Sequence, residues 1–192
     1  MQDVMLDLET LGNRPGSVIV AIGAVKMDLV NGVIGDTFYR VIDPADAQSQ
    51  GLTIDAATVA WWLGQSDAAR MAISAPGGWV KLLSTLGDFA AFIGTDARVW
   101  GNGADFDNAL LAAAYQACSA PLPWRHWNSR CYRTCKSLFP AVKIERAGTH
   151  HNALDDAISQ AEHLVRIMKA MRAGADTVEI VLADDASRTE AV

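Results

Sequence analysis

Positive charge is scarce in this chain. Sixteen Lys and Arg against 22 Asp and Glu leave the 192 residues at −6. That balance excludes indiscriminate binding to nucleic acid through overall charge, though not through a local basic patch. Cysteine is scarcer still: Cys118, Cys131 and Cys135 form an odd set with no second pair. A disulfide framework and a closed zinc site are thereby excluded, and reduced, partly buried thiols are expected. No apolar run reaches the ~18 residues that a membrane span needs. Asp3 and Asp7 interrupt any basic-then-apolar leader. The expected setting is the cytoplasm of a bacterium or of a phage-infected bacterial cell, with no membrane partner. Internal repeats and low-complexity tracts are also missing, so one domain with a sizeable core is expected.

Residues 3–9 alternate as a β-strand does. Val4, Leu6 and Leu8 fall on one face, and Asp3, Met5, Asp7 and Glu9 on the other. Asp7 and Glu9 therefore project side by side. Like charges that close need protonation, basic partners or a metal ion. Hard divalent cations such as Mg²⁺ or Mn²⁺ suit clustered oxygens. Taken alone, two acids on one strand face are far more often a solvated surface than a metal site.

Two further acidic groups follow. Residues 101–108, Gly-Asn-Gly-Ala-Asp-Phe-Asp-Asn, end a short buried strand at 98–100 and open a helix over 106–118. Ligands collect at strand carboxyl ends in such sheets, although acids there also cap helices. Residues 150–157, His-His-Asn-Ala-Leu-Asp-Asp-Ala, open a long helix over 152–172. There an imidazole precedes two carboxylates by four and five residues. Asp155 and Asp156 lie on opposite edges of the apolar stripe, so spacing does not choose between them. Six cations, Arg125, Arg130, Arg133, Lys136, Lys143 and Arg146, stand against Glu145 in the window leading to this helix. They mark either a solvated face or a phosphate path.

Elsewhere, Val18 to Met27 reads as a strand buried on both faces. Asn31-Gly32 signals a hairpin into a third strand at 33–42. Helices are expected from Thr53 to Leu63, at 66–73, at 79–93 and at 132–138. Trp61 and Trp62 are adjacent on the first of these. One must face the core and the other lies on the outer face; periodicity does not say which.

D-x-E in a first strand, F-D at a helix start and H-x-A-x-x-D near the C-terminus resemble the DEDDh subgroup of the DEDD 3′→5′ exonucleases. That subgroup includes proofreading subunits, oligoribonuclease and ribonuclease T. Leu8 to Gly12, Thr58 to Gln65, Trp100 to Gly103 and His151 to Gln160 further resemble phage and prophage exonuclease-VIII-like proteins and related actinobacterial exoribonucleases. The likeness covers residues 2–170. It implies an α/β, ribonuclease H-like fold: a mixed central sheet with antiparallel N-terminal strands, flanked by helices. It implies a metal-dependent 3′→5′ exonuclease that releases nucleoside 5′-monophosphates from single-stranded nucleic acid or 3′ overhangs, RNA or DNA. Asp7, Glu9, Asp107 and Asp156 would hold two Mg²⁺ or Mn²⁺ ions, and His151 would serve as general base. The resemblance points to Asp107 over Asp105 and to Asp156 over Asp155. Thr10, Leu11, Trp61, Trp62, Asn102 and Arg133 are the expected substrate-binding residues, and relatives of this type often pair as homodimers. The rival expectations are a non-catalytic nucleic-acid-binding module on the same fold and a small-nucleotide phosphoesterase. The exonuclease domain is expected over 1–173. An acidic tail follows over 174–192, in which Val178 to Ala183 suits an edge strand or a self-association segment.

Overall fold

The computed structural model describes residues 1–75 and 77–188, with only the backbone course given for 175–188. Five strands form one mixed sheet in the order β3-β2-β1-β4-β5. β1 (Asp3–Thr10), β2 (Ile19–Asp28) and β3 (Val33–Val41) are antiparallel neighbours, while β4 (Arg98–Gly101) and β5 (Ser129–Cys131) run parallel to β1. The sequence-predicted hairpin sheet is therefore present, and β1 lies at its centre.

The two faces of β1 feed two cores, as the alternation requires. Val4, Leu6 and Leu8 enter the larger one with Ile22, Leu86, Phe89, Val99 and Leu111. This core is closed by α1 (Pro44–Ser49), α4 (Leu82–Ile93) and α5 (Ala109–Ala117). Each fully buried Leu or Ile there contributes about 1.5–3 kcal/mol of transfer free energy. Met5 joins the smaller core with Val25, Met27, Trp100, Tyr132, Ala157, Ala161 and Leu164, beneath α6 (Tyr132–Leu138) and α7 (Ala153–Arg188). Asp3 lies on that same face but is neutralised locally. Arg98 grips both of its oxygens, at 2.8 and 2.5 Å, and the Trp100 indole donates to it at 2.8 Å.

Several boundaries differ from expectation for local reasons. The expected helix from Thr53 is α2 (Ala56–Leu63), because Asp55 accepts from the Ala57 N–H and is the actual cap. Ser66 caps α3 (Asp67–Ile73) as its sequence suggests. α1, with Asp43 as cap and Pro44 at its first position, and the three-residue β5 carry signals too short for periodicity to register. Residues 178–183 do not add an edge strand: the backbone stays helical to Arg188. The preceding run of Ala, Met, Leu, Lys and Arg favours helix propagation over a new strand.

Candidate active site

β1 delivers Asp7 and Glu9 to one point at its carboxyl end. α7 comes down on the same face because Gly23, the cross-strand partner of Asp7, has no side chain. A Cβ at Gly23 would lie 2.1 Å from the carbonyl carbon of Ala153, so the start of α7 rests directly on bare backbone. Asn152 caps that helix by accepting from the N–H groups of Leu154 and Asp155 at 3.0 and 3.2 Å. Asp156, one helical turn in, then faces the strand. Ligand oxygens of Asp7, Glu9 and Asp156 lie within 4.8 Å of one another.

The third arm comes from β4. Its last residue, Gly101, leaves room for the Asp107 carboxylate, which a Cβ there would meet at 3.0 Å. A single wide turn, Ala104–Asn108, precedes α5 and aims Asp107 and Asn108 inward while Asp105 stays exposed. Wide turns of this kind recur at functional sites because they redirect side chains. Asn108 secures the turn by donating to the Val99 carbonyl at 3.0 Å. Asp107 lines the same pocket as Asp7, Glu9, Asp156 and His151, with Gln160 and Arg146 on its walls.

The electrostatics are those of acids crowded without enough countercharge. Burial first, then Asp107 and Glu9, push the Asp7 carboxyl well up, against a 2.7 Å hydrogen bond from the Gln160 amide. Glu9 is raised to about 8 by burial and then by Asp156 and Asp107. Asp107 is raised to about 7 by burial, opposed by the backbone amides of Asn102 and Leu8. Its Oδ2 is buried with no hydrogen-bond partner. Three clustered carboxylate oxygens and a fourth that is buried and unpaired fit hard divalent cations, which take oxygen ligands and remove the repulsion. Arg146 is the one basic side chain paired with these four acids among the described residues; it bonds Asp156 Oδ1.

His151 sits at the mouth. Its backbone N–H donates to Asp156 Oδ2 at 2.9 Å, and its backbone is held at φ +65°, a left-handed conformation unusual for a residue with a Cβ. Burial and then the neighbouring His150 push its pKa down. Its ring stands edge-on to Trp61, with centroids 5.0 Å apart.

The tryptophan pair divides clearly. Trp62 is 4% exposed and its indole donates to the Thr10 carbonyl at 2.9 Å, whereas Trp61 is 46% exposed. Both edge a cavity of about 390 Å³ beside the acids. Thr10 is buried and its hydroxyl donates to the Gly12 carbonyl, and Leu11 packs against the larger core; both serve the turn after β1. The carbonyl of Asn102 accepts from Arg133 at 2.5 Å, and both residues line the acidic pocket. Asp155, the rejected half of the pair, accepts instead from the Thr149 N–H at 2.7 Å.

Gln160 and Gly23 escaped sequence reasoning as site residues, whereas Arg146 was marked only as one of six cations on a solvated face or phosphate path. Gln160 alone had a readable signal: it follows Asp156 by four residues and so shares its helical face. Cys118, Cys131 and Cys135 are free and partly buried, as expected.

A family model described as the 3′-5′ exoribonuclease Rv2179c-like domain matches residues 2–168. No curated protein gives a match. Among solved structures, the nuclease domain of 3′hExo, a DEDDh family member bound to rAMP, superposes with a TM-score of 0.61 at 16% identity, over 88% of this chain and 92% of that one. Exonuclease X in complex with 5′ overhanging duplex DNA gives 0.56 at 17% identity, over 88% and 92%. E. coli Exonuclease I in complex with a dT13 oligonucleotide gives 0.60 at 16% identity, over 94% of this chain but 43% of that one. At such identities the likeness concerns the fold, which is the ribonuclease H-like sheet of the DEDDh exonucleases. The matched family lies on the exoribonuclease side of the resemblance drawn from sequence, and the closeness to phage exonuclease-VIII-like proteins finds no support. With the family match extending across most of its length, the chain belongs to the 3′→5′ exoribonuclease Rv2179c-like domain family and is a 3′→5′ exonuclease.

Proposed function

We propose that the protein removes nucleoside 5′-monophosphates one at a time from the 3′ end of single-stranded nucleic acid or a 3′ overhang, using two Mg²⁺ or Mn²⁺ ions. The observation that carries this reading is the convergence of Asp7, Glu9, Asp107 and Asp156 in one pocket where, among the described residues, only Arg146 forms an ion pair with them. Those four would hold the cations, which when bound supply Lewis-acid activation of the attacking water and charge neutralisation at the departing 3′-oxygen. Gln160 fixes Asp7 in orientation through its amide. His151 takes the proton from the attacking water. Its lowered pKa keeps the imidazole neutral near pH 7, as a general base requires. RNA is the first substrate to test, since the family is described as exoribonuclease. DNA belongs beside it, because neighbours of this fold are bound to DNA as well as to rAMP.

The domain proper is taken to end at residue 173, with the tail beyond it outside the catalytic unit. The testing experiment digests matched RNA and DNA oligomers, labelled at the 5′ or the 3′ end, with and without Mn²⁺. A ladder of shortened 5′-labelled fragments and release of labelled mononucleotide from the 3′ end are expected. Asp7→Asn and Asp156→Asn are expected to abolish both, and His151→Ala to lower kcat by about 100- to 10,000-fold. Wild-type rates in Asp7→Asn would remove the proposal.

A further inference from the structure

A second cavity adjoins the acidic pocket and shares Asn102 and Arg133 with it. Its volume of about 470 Å³ falls within the ~300–1,000 Å³ typical of small-ligand sites. Among the described residues, Arg133, Lys136 and Lys143 line it and no acid does. Glu145, the acid nearest in sequence, is turned away to Arg166 at 3.7 Å. The ammonium groups of Lys136 and Lys143 have no ion pair or hydrogen bond among the described residues.

One wall is apolar, formed by Pro140, Val142 and Ile144. The floor is His163, 1% exposed and locked in place. Its Nδ1 pairs with the Tyr132 hydroxyl at 2.6 Å and its Nε2 with the Val142 carbonyl at 2.8 Å. The loop carrying Val142 and Lys143 is tied to α7 again where Arg166 donates to the Lys143 carbonyl at 3.1 Å and Ser159 accepts from the Ala147 N–H at 3.2 Å. The cavity is therefore held in shape by hydrogen bonds that the Lys136 and Lys143 ammonium groups do not use.

On the other side of the acids, the cavity edged by Trp61, Trp62 and Phe106 contains, among the described residues, Glu9 and Asp55 and no Lys, Arg or His. This asymmetry matches the asymmetry of a strand held at its 3′ end. The terminal nucleotide carries no phosphate beyond the scissile one, because its 3′ position is a hydroxyl. Every nucleotide on the 5′ side adds one negative charge.

We infer that the basic cavity is a subsite for the strand 5′ of the scissile bond. Phosphates lie on Arg133, Lys136 and Lys143, and a base or sugar rests against Pro140, Val142 and Ile144. The inference builds on the exonuclease reading above and adds direction to it: the terminal nucleoside enters on the Trp61 side and the remaining strand leaves over α6. Affinity then grows with substrate length up to the nucleotides this subsite holds, through phosphate contacts indifferent to base sequence.

The test measures KM for oligonucleotides of two, three and five residues with Mn²⁺, at several salt concentrations. Wild-type KM is expected to fall with length. In Lys136→Glu/Lys143→Glu the pentamer KM rises about tenfold or more while the dimer KM changes by less than about threefold, so length selectivity collapses. The salt dependence of pentamer KM becomes shallower by about 0.7 in log–log slope for each phosphate that is no longer neutralised. Lys136→Gln/Lys143→Gln, which adds no repulsion, moves the same quantities in the same direction by less. A wild type with no length dependence, or a variant whose dimer and pentamer KM rise together or not at all, overturns the subsite and leaves the exonuclease standing. Failure of the wild type to digest any oligomer overturns the exonuclease reading and the subsite with it.

Discussion

Glu9 shows what the site costs the fold. Its carboxyl is raised from 4.5 to about 8, so between those values the folded chain holds a proton that the unfolded chain has released. Stability of the metal-free protein must then fall as pH rises through that window. Glu9→Gln removes the effect. Its metal-free melting temperature is expected to exceed wild type at pH 8 and to match it near pH 4.5, and differential scanning calorimetry in chelator would read both. A lower melting temperature for Glu9→Gln at pH 8 would mean the carboxylate is already compensated. The tryptophans give a second prediction. Trp61→Ala should weaken oligonucleotide binding by about tenfold, the scale of ~1–3 kcal/mol for one stacked base, with little change in melting temperature. Trp62→Ala should cost about 3–5 kcal/mol of stability, as loss of a buried aromatic does. The resemblance named Asp7, Glu9, Asp107, Asp156 and His151; the acidic clusters that contain them were legible at characteristic spacings. The choice between Asp155 and Asp156 was not, because it depends on how the 146–151 loop crosses the helix end, including a left-handed His151.

The contact between α7 and β2 governs the site at the scale of elements. Gly23 sits amid Val and Ile, where glycine is a poor strand former, and its use appears only when the helix is seen lying on it. Gly23→Ala is expected to lift the start of α7, since the contact is backbone on both sides and no side chain can yield. A loss of about 1–3 kcal/mol or more follows from such overpacking. Activity should fall further than stability predicts, because Asp156 moves with the helix. A variant with wild-type kcat and melting temperature would show that the helix is not seated as described. Alternating segments could be read in advance, β3 nearly to the residue. α1 and β5 could not, since six and three residues hold too little periodicity and their stability comes from tertiary contact. The helical course through 178–183 also had no local stop signal strong enough to mark it against a strand.

For the molecule as a whole, the sheet order brings distant segments together. β1 and β4 lie side by side and parallel, so their carboxyl ends open on one crevice, and α7 crosses the antiparallel strands to close it. Sequence order conceals this: Asp7 and Asp156 are neighbours only because a chain of over a hundred residues returns to the first strand. The fold was readable as a class from antiparallel strands followed by βα alternation, whereas the pairing of β4 beside β1 needed the structure. The central claim is that these segments meet to hold cations, and anomalous diffraction from a crystal soaked in Mn²⁺ tests it most directly. Two manganese peaks between the end of β1 and the start of α7, within bonding distance of Asp7, Glu9, Asp107 and Asp156, are predicted. An empty crevice, or manganese bound only elsewhere on the protein, would contradict the account.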